Sequence, residues 1–214
     1  MKDIAIYGAG GFGREIACLI QRINMVQPTW NFVGFFDDNE EIWGSKNEYG
    51  EVIGGTDALN TWSSKLSLVV SIGSPQVLSL IVSKITNKLI DLPNLIDPTV
   101  DFLDSNNVKM GKGNVLCAKC FVSCNVEMGD CNLYNVGVGI GHDSCIGNYN
   151  VIMPNVNISG GVKIGNENMF GVKSTVLQYL KIGNQVKLGA NSLLMRNAKD
   201  GMLYIGTPAK KMEL

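Results

Sequence analysis

"VEMGDCNLYNVGVGIGHDSCIGNYNVIMPNVNISGGVKIG", residues 126–165, decides how this chain folds. Every sixth residue in it is apolar: Met128, Tyr134, Ile140, Ile146, Ile152, Ile158 and Ile164. The series begins earlier, at Met110, Leu116 and Val122, and continues through Phe170, Val176, Ile182, Leu188 and Leu194 without an insertion. A chain that is 45% hydrophobic does not place fifteen successive apolar residues at one spacing by accident. A second period of eighteen lies on the first. Apolar–Gly pairs recur at Met110–Gly111, Met128–Gly129, Ile146–Gly147, Ile164–Gly165 and Ile182–Gly183. Three hexads per turn of a solenoid explain both periods, each hexad forming one short strand and a bend. The apolar residue points inward and stacks on its equivalent one coil away. The glycines and asparagines near the bends suit turns that need a positive φ. Five coils at about 4.8 Å strand spacing make a triangular prism roughly 24 Å tall.

The first hundred residues have a different grammar. "DIAIYG", "NFVGFFDD" and "SLVVSIG" read as strands, and "REIACLIQRI" carries Ile16, Leu19, Ile20 and Ile23 at helical spacing. "SPQVLSLIVSKI" reads as a second helix, with Ser74 as N-cap and Pro75 in its first turn. "LPNLIDPTV" is read as a strand or an exit linker. Strand–helix–strand order implies parallel strands with crossover helices. The expected organisation is therefore an α/β Rossmann-like domain over residues 1–100 and a parallel β-helix over 101–214.

Composition excludes several classes. The 18 basic and 19 acidic residues are scattered, with no polybasic surface for nucleic acid or membrane. No apolar run reaches transmembrane length, and the N-terminus lacks a signal-peptide pattern, so a soluble cytoplasmic protein is expected. Cys117, Cys120, Cys124 and Cys131 are closely spaced, but they occupy different slots of the hexad and should not converge on a metal. Core packing of reduced thiols is the favoured reading.

These features together resemble the hexapeptide-repeat acyltransferases, whose repeat domains are left-handed parallel β-helices. The left hand comes from the resemblance, since general crossover rules favour the right. The ending "YIGTPAKKM" matches that family's Gly-x-Pro-Ala-Lys finish. "IYGAGGFGREI", "GFFDDN", "VVSIG" and "NLIDP" ahead of the repeats extend the resemblance to one subgroup from end to end. These are bacterial sugar acetyltransferases: nucleotide-linked amino-sugar N-acetyltransferases and sialic acid O-acetyltransferases.

Two sites follow. Gly8, Gly10 and Gly13 satisfy G-x-G-x-x-G between a strand and a helix, with Gly11 adding freedom. Glycines there let a diphosphate approach the helix N-terminus. Asp37 and Asp38 end the second strand, where an acid could meet a ribose or a base edge. The resemblance implies that Gly8, Gly10, Gly11, Phe12, Gly13, Asp37 and Asp38 hold the uridine diphosphate of a UDP-linked amino-sugar, as substrate and not as redox cofactor. An NAD-binding domain is the alternative reading of the same glycines.

His142, the only histidine, sits near a bend in "IGHDSC". Acetyl transfer from a thioester needs a base that titrates near neutrality, and imidazole is one. The resemblance aligns His142 with the subgroup's catalytic base, with Asp143 as its helper; Asp143 as a solvated turn acid is the alternative. It also implies that Asn135 lies near the sugar. Gly160, Gly161, Gly171, Val172, Lys173, Gly189 and Ala190 are implied to contact acetyl-CoA, the acetyl donor. Two departures from the subgroup are Val151, where many relatives carry a second His, and Asp97 in "NLIDP", where many have His.

The expected function is acetyl-CoA-dependent N-acetylation of a nucleotide-sugar in surface-glycan synthesis. O-acetylation of a sialic acid or related sugar is the alternative, and a non-catalytic scaffold or nucleotide sensor is the reading from another class. A zinc-dependent γ-type carbonic anhydrase needs several His ligands, so no metal is expected. The resemblance implies a homotrimer with sites between neighbours. Phe121, Val138, Val156 and Leu193 are expected among the apolar residues on the prism faces.

Overall fold

The computed structural model describes residues 1–212, so the last two residues of the expected second domain lie outside it. The chain divides into two compact units, Met1–Pro98 and Thr99–Leu214.

The first unit is a parallel α/β sheet. Strands β1 (Lys2–Tyr7), β2 (Trp30–Phe36), β3 (Val52–Gly54), β4 (Leu66–Val70) and β5 (Ile90–Asp91) lie in the order β3-β2-β1-β4-β5. Helices α1 (Gly11–Val26), α2 (Thr56–Asn60) and α3 (Pro75–Lys84) make crossovers. Ile16, Leu19 and Ile20 form the buried stripe of α1, and the helix stops at Val26 because Pro28 forces the chain before it to extend. Pro75 opens α3, where its missing N–H costs nothing. The core holds Ile4, Ile6, Phe35, Phe36, Leu66 and Leu68. Each buried side chain of this kind contributes about 1.5–3 kcal/mol. The sequence reading missed β3, α2 and β5, which are too short to show a period.

Between β1 and β4 the strand order reverses. At such a switch point the carboxyl ends of the strands open a crevice, and the glycine loop after β1 stands there.

The second unit is a left-handed parallel β-helix of two-residue strands in three sheets. Strands one coil apart pair in register, as Glu127–Met128 with Cys145–Ile146 and Gly139–Ile140 with Asn157–Ile158. Of the fifteen periodic apolar residues, all but the half-buried Met110 are fully buried. A second slot four residues later also points inward, and it holds Val138 and Val156, both at 0% exposure. The placement of these two valines on the outer faces is therefore wrong; Phe121 and Leu193 do face outward.

The bends differ from expectation as well. The left-handed residue stands three positions after each inward one, and at most corners it is not glycine: Lys119, Asn125, Asp143, Asn155, Lys173 and Tyr179 all have φ between 54° and 60°. The periodic glycines serve close approach instead. A Cβ on Gly129 would lie 2.7 Å from the Gly147 carbonyl oxygen, and one on Gly147 2.6 Å from that of Gly165.

Inside the coil, Asn114, Asn132, Asn150 and Asn168 form a fully buried ladder. Asn150 Nδ2 donates to Asn132 Oδ1 at 2.9 Å and to the Gly165 carbonyl at 3.0 Å, and Asn150 Oδ1 accepts from the backbone and side chain of Asn168. Every polar group of the side chain is thus partnered within the core. After Leu194 the spacing contracts: Asn184 N–H reaches Asp200, only 16 residues on. The chain then closes with the antiparallel pair Leu203–Ile205 and Lys210–Met212.

Candidate active site

His142 and Asp143 occupy one corner of the β-helix, just after the strand Gly139–Ile140. Asp143 takes the left-handed corner conformation (φ 58°), which swings its carboxylate beside the preceding ring. His142 Nδ1 and Asp143 Oδ2 are 2.7 Å apart, so the two side chains meet at this corner although successive residues of a strand face opposite ways. A carboxylate only accepts, so Nδ1 of the neutral imidazole carries the proton and Nε2 is left as the free base. The hydrogen bond to His142, and then that from Asn125, hold the Asp143 carboxyl below its ordinary range. Asn125, one coil earlier, donates to Asp143 Oδ1 at 3.2 Å.

The ring of His142 leans over the next coil. A Cβ on Gly160 would stand 2.4 Å from Nε2 and 2.6 Å from Cε1, so only glycine leaves room for the imidazole there. The Gly161 N–H donates to the His142 carbonyl at 2.7 Å, fixing the two corners in register. His142 and Asp143 side chains are 51% and 57% exposed, so the pair stands on an open edge of the single chain.

Other residues implied by the resemblance lie elsewhere. Asn135, Gly171, Val172, Lys173, Gly189 and Ala190 fall at the corners after Leu133–Tyr134, Met169–Phe170 and Lys187–Leu188. That edge and the His142 edge border the same face, the sheet through Phe121–Val122, Gly139–Ile140 and Asn157–Ile158. Within one chain the two groups are separated by the width of that face. Asn135 Oδ1 accepts from the N–H of Val136 at 2.7 Å, a local turn bond. Gly171 is a close-approach glycine, its Cβ position 2.5 Å from the Ala190 nitrogen. Val151 is buried.

Beyond Tyr179 on the His142 edge come Met195, Arg196 and Asn197, which border a cleft of about 560 Å³ at the end of the coil together with Leu194, Tyr204 and, from the closing strand of the sheet across the prism, Lys210 and Lys211. Arg196 stands three strand spacings, about 14 Å, above His142.

In the first unit the glycines divide their work. Gly8 has φ 106°, and a Cβ on Gly13 would stand 1.9 Å from the Gly8 oxygen, so these two let strand and helix meet. Nothing lies within 4 Å of a Cβ on Gly10, and only an Arg14 nitrogen, at 3.9 Å, approaches one on Gly11. Gly10 is the N-cap without a side-chain cap bond, and the first turn of α1 holds no acid. Its N–H groups and dipole are available to an anion. Phe12, in that turn, is half-buried.

The two acids differ. Asp37 is engaged within the protein, accepting from Ala9 N–H at 2.9 Å and Asn39 N–H at 3.0 Å. Asp38 Oδ1 accepts from the Tyr7 hydroxyl and from Thr56 N–H at 2.9 Å, while Oδ2 lies 3.8 Å from Lys84 Nζ. Burial opposes the Asp38 carboxylate, but hydrogen bonds from Tyr7 and Thr56 outweigh it and lower its pKa. Of the two acids, Asp38 lines a cleft of about 470 Å³, with Glu40, Trp43, Thr56, Asn60 and Lys84. Asp97, in the departure from "NLIHP", is buried and paired with Arg22 of α1 at 2.6 Å.

Cys117, Cys120 and Cys131 are buried and in no disulfide, and Cys120 Sγ lies 3.2 Å from the Asn135 carbonyl oxygen. Among the described residues no three His, Cys, Asp or Glu side chains form a metal-binding group, and no helix is long and apolar enough to cross a membrane. The sequence reading missed Asn125 and Tyr179. Asn125 stands one eighteen-residue period before Asp143, so the repeat itself carried that signal.

Residues 3–85 match the PglD N-terminal domain family. No curated protein matches the chain. Among solved structures, the acetyltransferase domain of PglB from Neisseria gonorrhoeae is 28% identical with a TM-score of 0.89, covering 99% of this chain and 100% of that one. The same domain in complex with acetyl coenzyme A is 27% identical with a TM-score of 0.87, covering 99% of each chain. A variant of perosamine N-acetyltransferase from Caulobacter crescentus, in complex with CoA and GDP-perosamine, shares the fold at 24% identity and a TM-score of 0.85, covering 100% and 98%. The chain resembles hexapeptide-repeat sugar acetyltransferases from end to end.

Proposed function

We propose that this chain is an acetyl-CoA-dependent acetyltransferase acting on the amine of a UDP-linked amino-sugar, with His142 as general base. The observation that carries it is the His142–Asp143 pair at 2.7 Å, its imidazole seated over Gly160 on an open edge. The likeness to a domain whose structure holds acetyl coenzyme A supports the donor.

The chemistry is direct attack. The amine nitrogen adds to the thioester carbonyl while Nε2 of His142 takes its proton. The C–S bond then breaks, and the proton passes to the departing sulfur, leaving an amide and free CoA thiol. Asp143 keeps the tautomer and stabilises the imidazolium between the two transfers. The oxyanion requires an N–H donor at the carbonyl.

The glycine loop supports a diphosphate at Gly10, Gly11 and Phe12, with Gly8 and Gly13 shaping it. Asp38 is then the acid that meets the nucleoside, and Asp37 holds the loop through Ala9. The donor's adenosine phosphates suit the cleft of Arg196, Lys210 and Lys211, which Arg196 borders from the His142 edge. Contacts from Asn135, Gly171, Val172, Lys173, Gly189 and Ala190 reach a site at His142 only if a second copy brings its other edge to it. That is the support for a homotrimer with shared sites. Buried free thiols suit a reducing compartment, the cytoplasm.

The test is thiol release from acetyl-CoA with a panel of UDP- and GDP-linked amino-sugars and hydroxyl-sugars. Turnover with a UDP-amino-sugar, lost in His142→Ala, is expected. Turnover confined to hydroxyl acceptors would move the reading to O-acetylation, and no turnover with any acceptor would favour a scaffold or sensor. Sedimentation and mixing of His142 and Gly171 variants test the shared site: restored activity is expected in the mixture.

A further inference from the structure

Gly160 and Gly161 are consecutive at one corner, and each makes room for a ring from a different coil. A Cβ on Gly160 would stand 2.4 Å from His142 Nε2, and one on Gly161 would stand 2.4 Å from Tyr179 Cδ1 and 2.7 Å from Cε1. His142 comes from the coil before this dipeptide and Tyr179 from the coil after it. The backbone locks all three together: Gly161 N–H donates to the His142 carbonyl at 2.7 Å, and Tyr179 N–H donates to that of Gly160 at 3.0 Å. Imidazole and phenol thus converge on one dipeptide from opposite sides.

Tyr179 is 73% exposed, and its backbone is left-handed, with φ 60°. Asn or Gly would satisfy that turn with less strain than a bulky ring. The corner therefore does not explain the choice of tyrosine. Farther along the same edge stands Arg196, which borders a cleft that Lys210 and Lys211 line from the sheet across the prism. The order along the edge is imidazole, paired glycines, phenol, then the guanidinium of Arg196 where the cationic cleft opens.

We infer that Tyr179 is the aromatic wall against which the pantetheine arm of the acyl donor lies, steering the thioester over Gly160 toward His142. The inference rests on the donor reading given above. A donor with its reacting carbonyl at His142 and its phosphates at the cationic cleft must pass Tyr179. The flat ring offers its face to the methylenes and amide planes of that arm. The role is one of binding and positioning; no proton is moved by Tyr179.

Calorimetric CoA binding and two-substrate kinetics on Tyr179→Asn and Tyr179→Phe test this. Asn suits the left-handed corner, so Tyr179→Asn should fold and melt at or above the wild-type temperature. It should weaken CoA about three- to ten-fold, the worth of one aromatic contact, and raise the KM for acetyl-CoA alike while the acceptor KM stays put. Tyr179→Phe should bind as wild type does. Unchanged CoA binding by Tyr179→Asn, a rise in the acceptor KM instead, or weaker binding traced by sedimentation to altered assembly would each overturn the inference alone. Wild-type protein that binds no CoA would overturn the donor reading and this inference together.

Discussion

The imidazole of His142 fills the space that a side chain on Gly160 would need, with Nε2 only 2.4 Å from the position of a Cβ. Glycine here is a requirement of the neighbouring coil, since Gly160 itself does not have a positive φ. Gly160→Ala should therefore displace the ring while the coil persists. A loss of about a hundred-fold in kcat is expected, the cost of a misplacement near 1 Å, with an unchanged circular dichroism spectrum. Wild-type kcat in this variant would show that the ring position is not critical.

Asp143→Asn tests the tautomer. An amide can present its NH₂ to Nδ1 and so favour the proton on Nε2, the wrong nitrogen for a base. We expect kcat to fall about ten- to hundred-fold with both KM values little changed. Asn125→Ala, which removes only the more distant contact at 3.2 Å, should have a smaller effect in the same direction.

The two halves of the glycine loop should separate by measurement. Gly13→Ala forces a Cβ to 1.9 Å from the Gly8 oxygen, so urea denaturation should show a loss of about 1–3 kcal/mol. Gly10→Ala meets nothing within 4 Å and should leave stability within about 0.5 kcal/mol while weakening the UDP-sugar.

Core polarity in the β-helix gives opposite predictions at two sites. Asn150→Ala breaks the ladder, removing the acceptor of the Asn168 backbone and side-chain donors and the donor to the Gly165 carbonyl, and should cost about 2–3 kcal/mol. Tyr134 has a fully buried hydroxyl with no hydrogen-bond partner among the described residues. Tyr134→Phe should be neutral or up to about 1 kcal/mol more stable by thermal melting.

Acid should weaken the first unit through Asp38. Its folded pKa is depressed, so its stabilisation is fully present above the unfolded value of 3.8 and is lost as pH falls through the lower folded value. Unfolding curves taken between pH 5 and about 3 should show Asp38→Asn with a flatter decline than wild type. A parallel decline would mean that the Tyr7–Thr56–Lys84 cluster does not favour the charged form.

How much was legible varies by residue. Ile140 and Ile146 announced themselves because an inward slot every sixth residue tolerates little besides apolar side chains. Val138 and Val156 were misplaced because the hexad has a second inward slot, four residues on, shared by Asn, Ser, Cys and Val. That slot hid the Asn ladder too, since asparagine in a repeat reads first as a turn residue. His142 was visible as the one imidazole in an array of strands. Gly160 was expected against acetyl-CoA and not beneath the imidazole, and Tyr179 was not visible at all.

By itself the sequence determined the two architectures, the glycine turn and the position of one imidazole. Those are local facts: a period, a strand–turn–helix, a single residue type. The tertiary structure decided which residues meet across coils. Stacking brings Asn125 to Asp143, His142 to Gly160 and Tyr179 to Gly161, and it sends Asn135, Gly171 and Gly189 to the other edge of the face. The physical reason is that one coil of eighteen residues advances the chain by a single strand spacing. Residues distant in sequence thus become neighbours, while residues one hexad apart are turned onto different edges.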